Sequence, residues 1–191
     1  MAIKTSLQHE FDMKDLGPLH YFLGLEIKYL SHGLFVSQHK YATDLIHKAG
    51  LDTCHSHITP CQSGLKLLRD SGTSLSPSDA AQFRSLVGCL QYLTFTRPDI
   101  AYSVNSVCQF LHCPTDHHFQ AALRILKYVK GTSDYGITFR RGSSLTNLSL
   151  HVFSDHNFSL QAYSDADWAG DPNDRKSTTG FVILLNGSPV S

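Results

Sequence analysis

The sequence has no excess of charge of either sign. Its 191 residues contain 16 Lys and Arg against 16 Asp and Glu, so the formal net charge is zero. Such a chain has no overall electrostatic attraction to nucleic acids, anionic membranes or acidic partners, and any basic surface has to be local.

Cysteines and long apolar runs are also scarce. The five cysteines are an odd number without paired spacing, which favours reduced thiols over a disulfide framework. The N-terminal segment mixes acidic and basic side chains and contains neither a signal-peptide core nor a transmembrane run. We therefore expect a soluble intracellular protein, in the cytoplasm or the nucleus. Because 41% of the residues are apolar, the chain can build a core.

The first region predicts a β-hairpin followed by a helix. Two stretches rich in Tyr, Phe, Leu, Ile and Val flank Ser31-His32-Gly33, with Gly33 at the position that needs a positive φ. A helical stripe that includes Leu45 and Ile46 then runs to Gly50, which we expect to stop the helix.

Residues 52–79 predict a long connection and a subdomain boundary, because they are rich in Ser, Thr, Pro, Gly and Asp and lack periodicity. They include four potential zinc ligands, Cys54, His55, His57 and Cys61. Their spacing fits none of the usual structural zinc patterns. We therefore expect a solvated loop.

The next region predicts three amphipathic helices that form a small bundle. Apolar residues at helical spacing mark the first two helices: Phe83, Leu86, Val87, Leu90 and Thr94, then Ile100, Val104, Val107 and Leu111. Between these stripes, Thr96 is predicted to cap the second helix and Pro98 to lie in its first turn. Asp99 is predicted to stabilise the positive N-terminal end of the helix dipole.

The third helix is predicted to start near Thr115 and to end at Gly131. Its apolar stripe contains Phe119, Ala122, Leu123, Leu126 and Val129. The same helix carries Arg124, Lys127 and Lys130 at intervals of three, with Arg140 and Arg141 shortly after. This spacing places the three helical cations in one sector, which is either a solvated face or a surface that follows a phosphate backbone.

The last region, from about Leu148, predicts β-strands. Residues 160–163 resemble a strand end, and "GFVILLNGSPVS" predicts two strands joined by an Asn186-Gly187 turn. The segments "LHVFSDHNF" and "LQAYSDADW" align with each other, which indicates a short local duplication.

The stretch "AYSDADWAGDPNDRKSTTGF" contains four aspartates, Asp165, Asp167, Asp171 and Asp174. An EF-hand-like calcium loop is disfavoured, because Ala169 and Lys176 stand at ligand positions and the flanks indicate strands. Two readings remain. The stretch is an acidic turn, or Asp165 is a strand-borne catalytic carboxylate that needs partners from other elements to hold two Mg²⁺ ions.

Five segments resemble, in this order, the Pol polyprotein of Ty1/copia-type retrotransposons, particularly those of plants. They are "FDMKDLGPLHYFLGLEI", "GLFVSQHKYATDLI", "FRSLVGCLQYLTFTRPDIAYSVN", "LRILKYVKGT" and "YSDADWAGDPNDRKSTTGF". The resemblance spans nearly the entire chain. It implies the distal part of a reverse transcriptase followed by the opening of a ribonuclease H domain.

The resemblance implies an α+β protein in four segments. Residues 1–51 resemble the end of the polymerase palm, with the hairpin through Lys40 near the primer terminus. Residues 52–79 are the connecting loop, and residues 80–142 resemble the helical thumb and connection. Residues 143–191 resemble the N-terminal part of a truncated ribonuclease H fold.

Within that last segment, Asp165 matches the first metal-binding aspartate of ribonuclease H. Asp155 matches only in its immediate neighbours, and Asp167 is expected to be a turn residue. The implied cofactor of the intact family is Mg²⁺. We expect none to be held stably by this chain, because the polymerase Asp-Asp turn and the later ribonuclease H carboxylates are absent from it.

We therefore expect a retroelement remnant without polymerase or nuclease activity. Its implied partners are a template-primer duplex or RNA–DNA hybrid and the remainder of the polyprotein. One alternative is a residual duplex-binding module that uses Lys40, Arg124, Lys127 and Lys130. Another is a cut-out of a longer active enzyme. We also expect protease to leave a core near residues 80–140 and to remove the C-terminal tail.

Overall fold

The protein is of mixed α and β structure, as predicted. The computed structural model describes residue 7 and residues 10–14, 16–64, 66–140 and 159–190. In these residues, two antiparallel sheets accompany a bundle of α-helices. The first half of the predicted duplication, which includes Asp155, and the predicted cation Arg141 lie outside the described residues.

The predicted hairpin is confirmed and belongs to a larger sheet. This sheet has the order β1-β2-β3-β4, with β1 at Tyr21–Phe22, β2 at Leu25–Leu30, β3 at Gly33–Ser37 and β4 at Gly136–Arg140. Gly33 opens β3 with a φ of 157°. A Cβ atom there would lie 1.9 Å from the carbonyl oxygen of Phe139. The close approach of β4 therefore requires a glycine at this position.

Strand β4 was not predicted. It follows the last helix and pairs antiparallel with β3, from Gly33 opposite Arg140 to Ser37 opposite Gly136. Because of this pairing, the hairpin of the predicted first segment shares one sheet with the end of the predicted helical segment.

Helix α1 (His39–Lys48) follows the hairpin as predicted. Gly50 has a φ of 66°, and its N–H donates to the carbonyl of His47, which is how a glycine ends a helix. Leu45 and Ile46 are buried. They belong to the core that the later helices build, so the predicted three-helix bundle includes α1 as a further member.

The connection has no helix or named strand in its described residues, as its composition predicted. It ends earlier than expected, since α2 spans Pro77–Leu93. Ser76 is the N-cap, and its hydroxyl accepts a hydrogen bond from the Asp79 N–H at 3.2 Å. This side-chain cap fixes the start of the helix three residues before the predicted one.

A short 3₁₀ turn (Pro98–Ile100) leads into α3 (Ala101–Cys108). Pro98 lies at the start of the turn as predicted. The predicted cap by Thr96 is wrong, because its buried hydroxyl donates to Gln38 Oε1 at 2.8 Å. The hydroxyl thus ties the helix break to the segment that precedes α1.

Helix α4 (Asp116–Gly131) confirms the third predicted helix. Thr115 and His118 form a capping box at its start, in which the Thr115 N–H donates to His118 Nδ1 at 3.0 Å. At the other end, a Cβ atom on Gly131 would lie 2.9 Å from Cβ of Ser56. The connection therefore passes directly over the end of α4.

The four helices share one apolar core. Its fully buried members with large side chains are Phe83, Leu90, Leu93, Ile100, Ile125 and Leu126. Truncating a buried Leu or Ile to Ala costs about 2–5 kcal/mol, so this cluster dominates the stability of the fold. No helix in the described ranges has both the length and the apolarity required to cross a bilayer.

The second sheet has the order β5-β6-β7, with β5 at Leu160–Ala166, β6 at Thr179–Leu185 and β7 at Ser188–Pro189. The predicted turn is confirmed, since Asn186 and Gly187 have φ values of 50° and 75° and connect β6 to β7. The two sheets meet where the Arg140 N–H donates to the hydroxyl of Ser188 at 2.8 Å.

Candidate functional site

Asp165 lies on an exposed strand. It occupies β5 opposite Gly180 of β6, and every residue of β5 is exposed. Among the described residues, nothing donates a hydrogen bond to its carboxylate. The side chain is therefore open to a ligand, whereas its position as the first carboxylate of a metal site stays a prediction.

Asp167 closes the turn after β5. Its N–H donates to the carbonyl of Thr178 at 3.1 Å, and its carboxylate accepts the Thr178 N–H. A Cβ atom on Gly170 would lie 1.9 Å from Oδ2 of Asp167. One oxygen of this carboxylate, Oδ1, is occupied by a turn contact, as expected for a turn residue.

The next two aspartates also bind their own turn. Asp171 Oδ1 accepts the Asn173 N–H at 2.6 Å. Asp174 pairs with Lys176 at 2.7 Å, and the hydrogen bond from this lysine holds the pKa of Asp174 below its usual value. Within the described ranges, no three His, Cys, Asp or Glu side chains are placed to hold a metal ion. The geometry is that of an acidic turn between two strands.

This acidic turn, residues 167–178, is docked on the connection. Lys66 Nζ donates to the Gly170 carbonyl at 3.1 Å. Asn173 makes two further contacts, because its Oδ1 accepts the Arg69 N–H at 2.8 Å and its Nδ2 donates to the Leu67 carbonyl at 3.1 Å. No pattern in the sequence predicted that these two loops meet.

The predicted cationic sector of α4 faces the connection. Lys130 Nζ donates to three carbonyls at the start of the connection, that of Leu51 just before it at 2.9 Å and those of Asp52 and Cys54 within it at 2.6 Å each. Arg124 Nη2 donates to Thr59 Oγ1 at 2.9 Å. Lys130 and Arg124 thus form hydrogen bonds within the protein. Such bonds are not expected of a solvated face or of a surface that follows a phosphate backbone.

The remaining predicted cations are less engaged. Lys127 is half-buried and makes no described side-chain hydrogen bond or ion pair, although its carbonyl accepts the His57 N–H at 3.3 Å. Lys40 is exposed at the start of α1, where its backbone N–H donates to Glu26 Oε1 at 2.6 Å. Their roles in nucleic-acid binding stay predictions.

The "CHSHITPC" segment lies along α4. His57 is half-buried, whereas His55 and Cys61 are exposed. Burial lowers the pKa of His57, and the charges of Arg124 and Lys127 lower it further. The proximity of these two cations shows that the segment packs beside the helix.

Sequence reasoning missed a buried arginine site at the helix break. Arg97 is 2% exposed and forms a two-point ion pair with Asp99. Its Nη1 donates to the Thr132 carbonyl at 2.8 Å, and its guanidinium lies 5.6 Å and 5.3 Å from the ring centroids of Tyr128 and Tyr135. The sequence predicts a helix start at this motif, whereas the spacing of Arg97 two residues before Asp99 is the local signal that indicates the pair.

A family model described as reverse transcriptase (RNA-dependent DNA polymerase) matches residues 1–63, which contain the hairpin and α1. No solved structure matches the chain.

Similar proteins cover nearly the whole chain. The retrovirus-related Pol polyproteins of transposons RE1 and RE2 from Arabidopsis thaliana are 44% and 42% identical over 186 residues. These matches cover 97% of this chain but only 12% of each polyprotein. An uncharacterized mitochondrial protein of Arabidopsis thaliana is 45% identical over 97% of this chain and 70% of its own length. The chain belongs to the reverse transcriptase family found in the Pol polyproteins of Ty1/copia-type retrotransposons.

Proposed function

We propose that this chain corresponds to the end of the reverse transcriptase unit and the opening of the ribonuclease H unit of a retrotransposon Pol polyprotein. The observation that carries the proposal is the order of the elements. The hairpin and α1 come first, the helical bundle follows, and the exposed strand with Asp165 comes last. In the parent polyprotein, the hairpin and Lys40 lie beside the primer, and the helices contact the duplex.

We propose further that the chain alone catalyses neither DNA synthesis nor RNA cleavage. Two-metal phosphodiester chemistry requires several carboxylates from separate elements that bracket two ions about 4 Å apart. In the described residues, Asp167 is occupied by its turn, and no group of three potential ligands is placed for a metal ion. Asp165 can supply one carboxylate to Mg²⁺, but these residues do not make up a two-metal site.

The proposal is tested with two assays on the purified chain. Primed RNA template with deoxynucleotides and Mg²⁺ tests synthesis, and a labelled RNA–DNA hybrid tests cleavage of the RNA strand. We expect the same background from the chain and from Asp165→Asn in both assays. Hybrid cleavage that the Asp165→Asn substitution abolishes, or Mg²⁺-dependent primer extension, would overturn the proposal.

A second candidate function is duplex binding without catalysis. Lys127 and Lys40 favour it, because no carboxylate in the described residues lies within 4.0 Å of either ammonium. Phosphate contacts release counterions, so such binding weakens steeply with salt.

Charge reversal at Lys127 tests this candidate. Lys127→Glu should weaken binding of an RNA–DNA duplex and lower the salt slope of log K by about 1 or more. Lys48→Glu, at an exposed position on α1, is the matched control. Lys130→Glu is unsuited, since it also removes three hydrogen bonds to the connection. Equal binding by the two variants, or binding that ignores salt, excludes the candidate.

A further inference from the structure

A cavity of about 630 Å³ lies between helices α3 and α4, the connection and the acidic turn. Small-ligand sites enclose about 300–1,000 Å³ and combine an apolar floor with a few polar groups. The floor here contains Val107, Phe110, Ala121 and Ile125. Phe110 is held by ring stacking on His118, at 3.8 Å between centroids. The cavity thus has the size and the apolar surface of a ligand site.

One wall of the cavity is positively charged. Arg124, Lys127 and His57 line it, and the effect of the two cations on the pKa of His57 shows that all three are close together. No carboxylate in the described residues lies within 4.0 Å of Arg124 or Lys127. Arg124 Nε is buried without a hydrogen-bond partner among those residues. Two cations and an unused guanidinium N–H match the charge and acceptors of a phosphate group.

Two carboxylates also line the cavity. They belong to Asp167 and Asp171, and each already accepts hydrogen bonds within the turn at one oxygen, Oδ1. These carboxylates repel a phosphate and accept hydrogen bonds from hydroxyl or amino groups. A ligand with a phosphate at one end and neutral donors at the other therefore matches both the cations and the carboxylates of the lining.

Ser103 provides an independent indication of a missing ligand. It lines the cavity and is 4% exposed, yet its hydroxyl has no hydrogen-bond partner among the described residues. Buried hydroxyls in native proteins are almost always paired. An unpaired hydroxyl in the lining of a cavity marks a position where a bound water or a ligand group completes the hydrogen bonding.

We propose that this cavity binds a nucleoside monophosphate. The phosphate lies against Arg124 and Lys127, the base lies on the apolar floor, and the ribose hydroxyls or the exocyclic amine donate to the acidic turn. A sugar phosphate shares the phosphate and hydroxyl chemistry, but it has no flat apolar body to lie against the half-buried Ala121. The proposal does not depend on the polyprotein function, because it concerns a free small ligand.

Calorimetric titration of the full chain with AMP, adenosine, ribose 5-phosphate and inorganic phosphate tests the proposal. We expect AMP to bind about tenfold more tightly than ribose 5-phosphate or inorganic phosphate, and adenosine to bind most weakly. An AMP phosphate beside His57 should also raise the pKa of that imidazole, as measured by NMR. Equal affinities for AMP and ribose 5-phosphate, or an unchanged His57 titration, overturn it.

A cavity-filling substitution distinguishes this site from a charged surface. Ala121→Leu places extra volume in the cavity without changing the charge, and Ala81→Leu makes the same change on the exposed face of α2. Only Ala121→Leu should weaken AMP binding, by about tenfold or more, and both variants should bind duplex like the parent chain. Lys127→Gln is the second variant and should weaken AMP binding while the fold is kept. Equal AMP binding by the two leucine variants contradicts the proposal, and so does unchanged binding by Lys127→Gln.

Discussion

The Arg97 guanidinium makes two parallel hydrogen bonds to the Asp99 carboxylate, from Nε to Oδ1 at 2.9 Å and from Nη2 to Oδ2 at 2.7 Å. The same Nη2 donates to Thr132 Oγ1 at 2.6 Å, and the Tyr128 hydroxyl donates to Asp99 at 2.9 Å. Burial acts to raise the pKa of Asp99, but the hydrogen bonds and charge of Arg97 outweigh it, so this pKa lies below its usual value. The pair thus joins the break before α3 to the end of α4.

Arg97→Lys is the first prediction. It keeps the charge but loses the planar fork, so the two-point hydrogen bonding to Asp99 and the contacts with Thr132 cannot all be kept. We expect the free energy of unfolding in urea to fall by about 1.5–3 kcal/mol, the cost of a lost hydrogen bond to a charged group. Arg84→Lys, at an exposed position of α2, is the control and should stay within about 0.5 kcal/mol of the parent. A loss at Arg97 no larger than that at Arg84 would show that the pair is not a main tie between the helices.

His118 predicts a loss of stability in mild acid. Its Nδ1 accepts the Thr115 N–H, and Nε2 lies 3.1 Å from the Leu68 carbonyl, to which it donates. Burial is the main cause that lowers the pKa of His118, a nearby His117 lowers it further, and Asp116 opposes the shift. Because the folded pKa is depressed, this stability is fully present above the unfolded value of about 6.5 and is lost as the pH falls from there through the folded pKa.

The measurement is urea unfolding between pH 8 and pH 5 for the parent, His118→Gln and His112→Gln. His112 is exposed on the loop before α4. The parent and His112→Gln should both lose stability below about pH 6.5, and His118→Gln should lose less, since it removes the titrating group. Parallel pH curves for all three proteins would show that His118 is not the group responsible.

The hydrogen bonds of Lys130 predict that its substitution lowers the stability of the fold, whereas substitution of a solvated cation should not. Lys130→Met leaves three carbonyls of the connection without their donor, and each lost hydrogen bond costs about 0.5–1.5 kcal/mol. Lys127→Met makes the same change on the same helix at a side chain without described hydrogen bonds. In thermal unfolding, Lys130→Met should therefore melt several degrees lower than Lys127→Met, and equal melting temperatures would argue against the three contacts.

The hydrogen bonds of Asn173 predict that this side chain holds the acidic turn against the connection. Asn173→Ala removes the hydrogen bonds to Leu67 and Arg69, so the turn should separate from the connection more often. We expect limited proteolysis to cut the variant faster within residues 66–70 and 167–178, whereas Gln82→Ala on the exposed face of α2 should be cut like the parent. Identical digestion patterns would mean that the docking is too weak to protect these loops.

The same digestion tests the predicted protease-resistant core. The sequence predicts a core near residues 80–140. Since β3 pairs with β4, the structure adds residues 25–37 to the part that should survive. Loss of the hairpin before the helices, or survival of the C-terminal sheet for as long as the helices, would contradict this prediction.

Local patterns were sufficient for the helices and the turns. The stripes around Leu90 and Leu126 and the glycine after α1 depend on neighbouring residues alone, so the sequence predicts them well. The Asn186-Gly187 turn is equally local.

Long-range partners could not be predicted in this way. Strand β4 has only five residues and pairs with a strand far earlier in the chain. Thr96 has the chemistry of a helix cap, but a buried Gln38 side chain takes its hydroxyl. Lys130 has the spacing of a surface cation, but carbonyls of the connection surround it. In each case the partner belongs to a segment far away in the sequence, so the spacing of neighbouring residues does not predict the contact.

The central claim concerns the carboxylate of Asp165, which we propose to be one member of a metal site that the described residues do not complete. Mn²⁺ titration monitored by paramagnetic broadening of backbone NMR signals measures this directly. We expect broadening around Asp165 and its strand partner Gly180 that does not saturate below about 1 mM and that Asp165→Asn removes. Saturation at micromolar Mn²⁺ with two ions bound beside Asp165 would contradict the account.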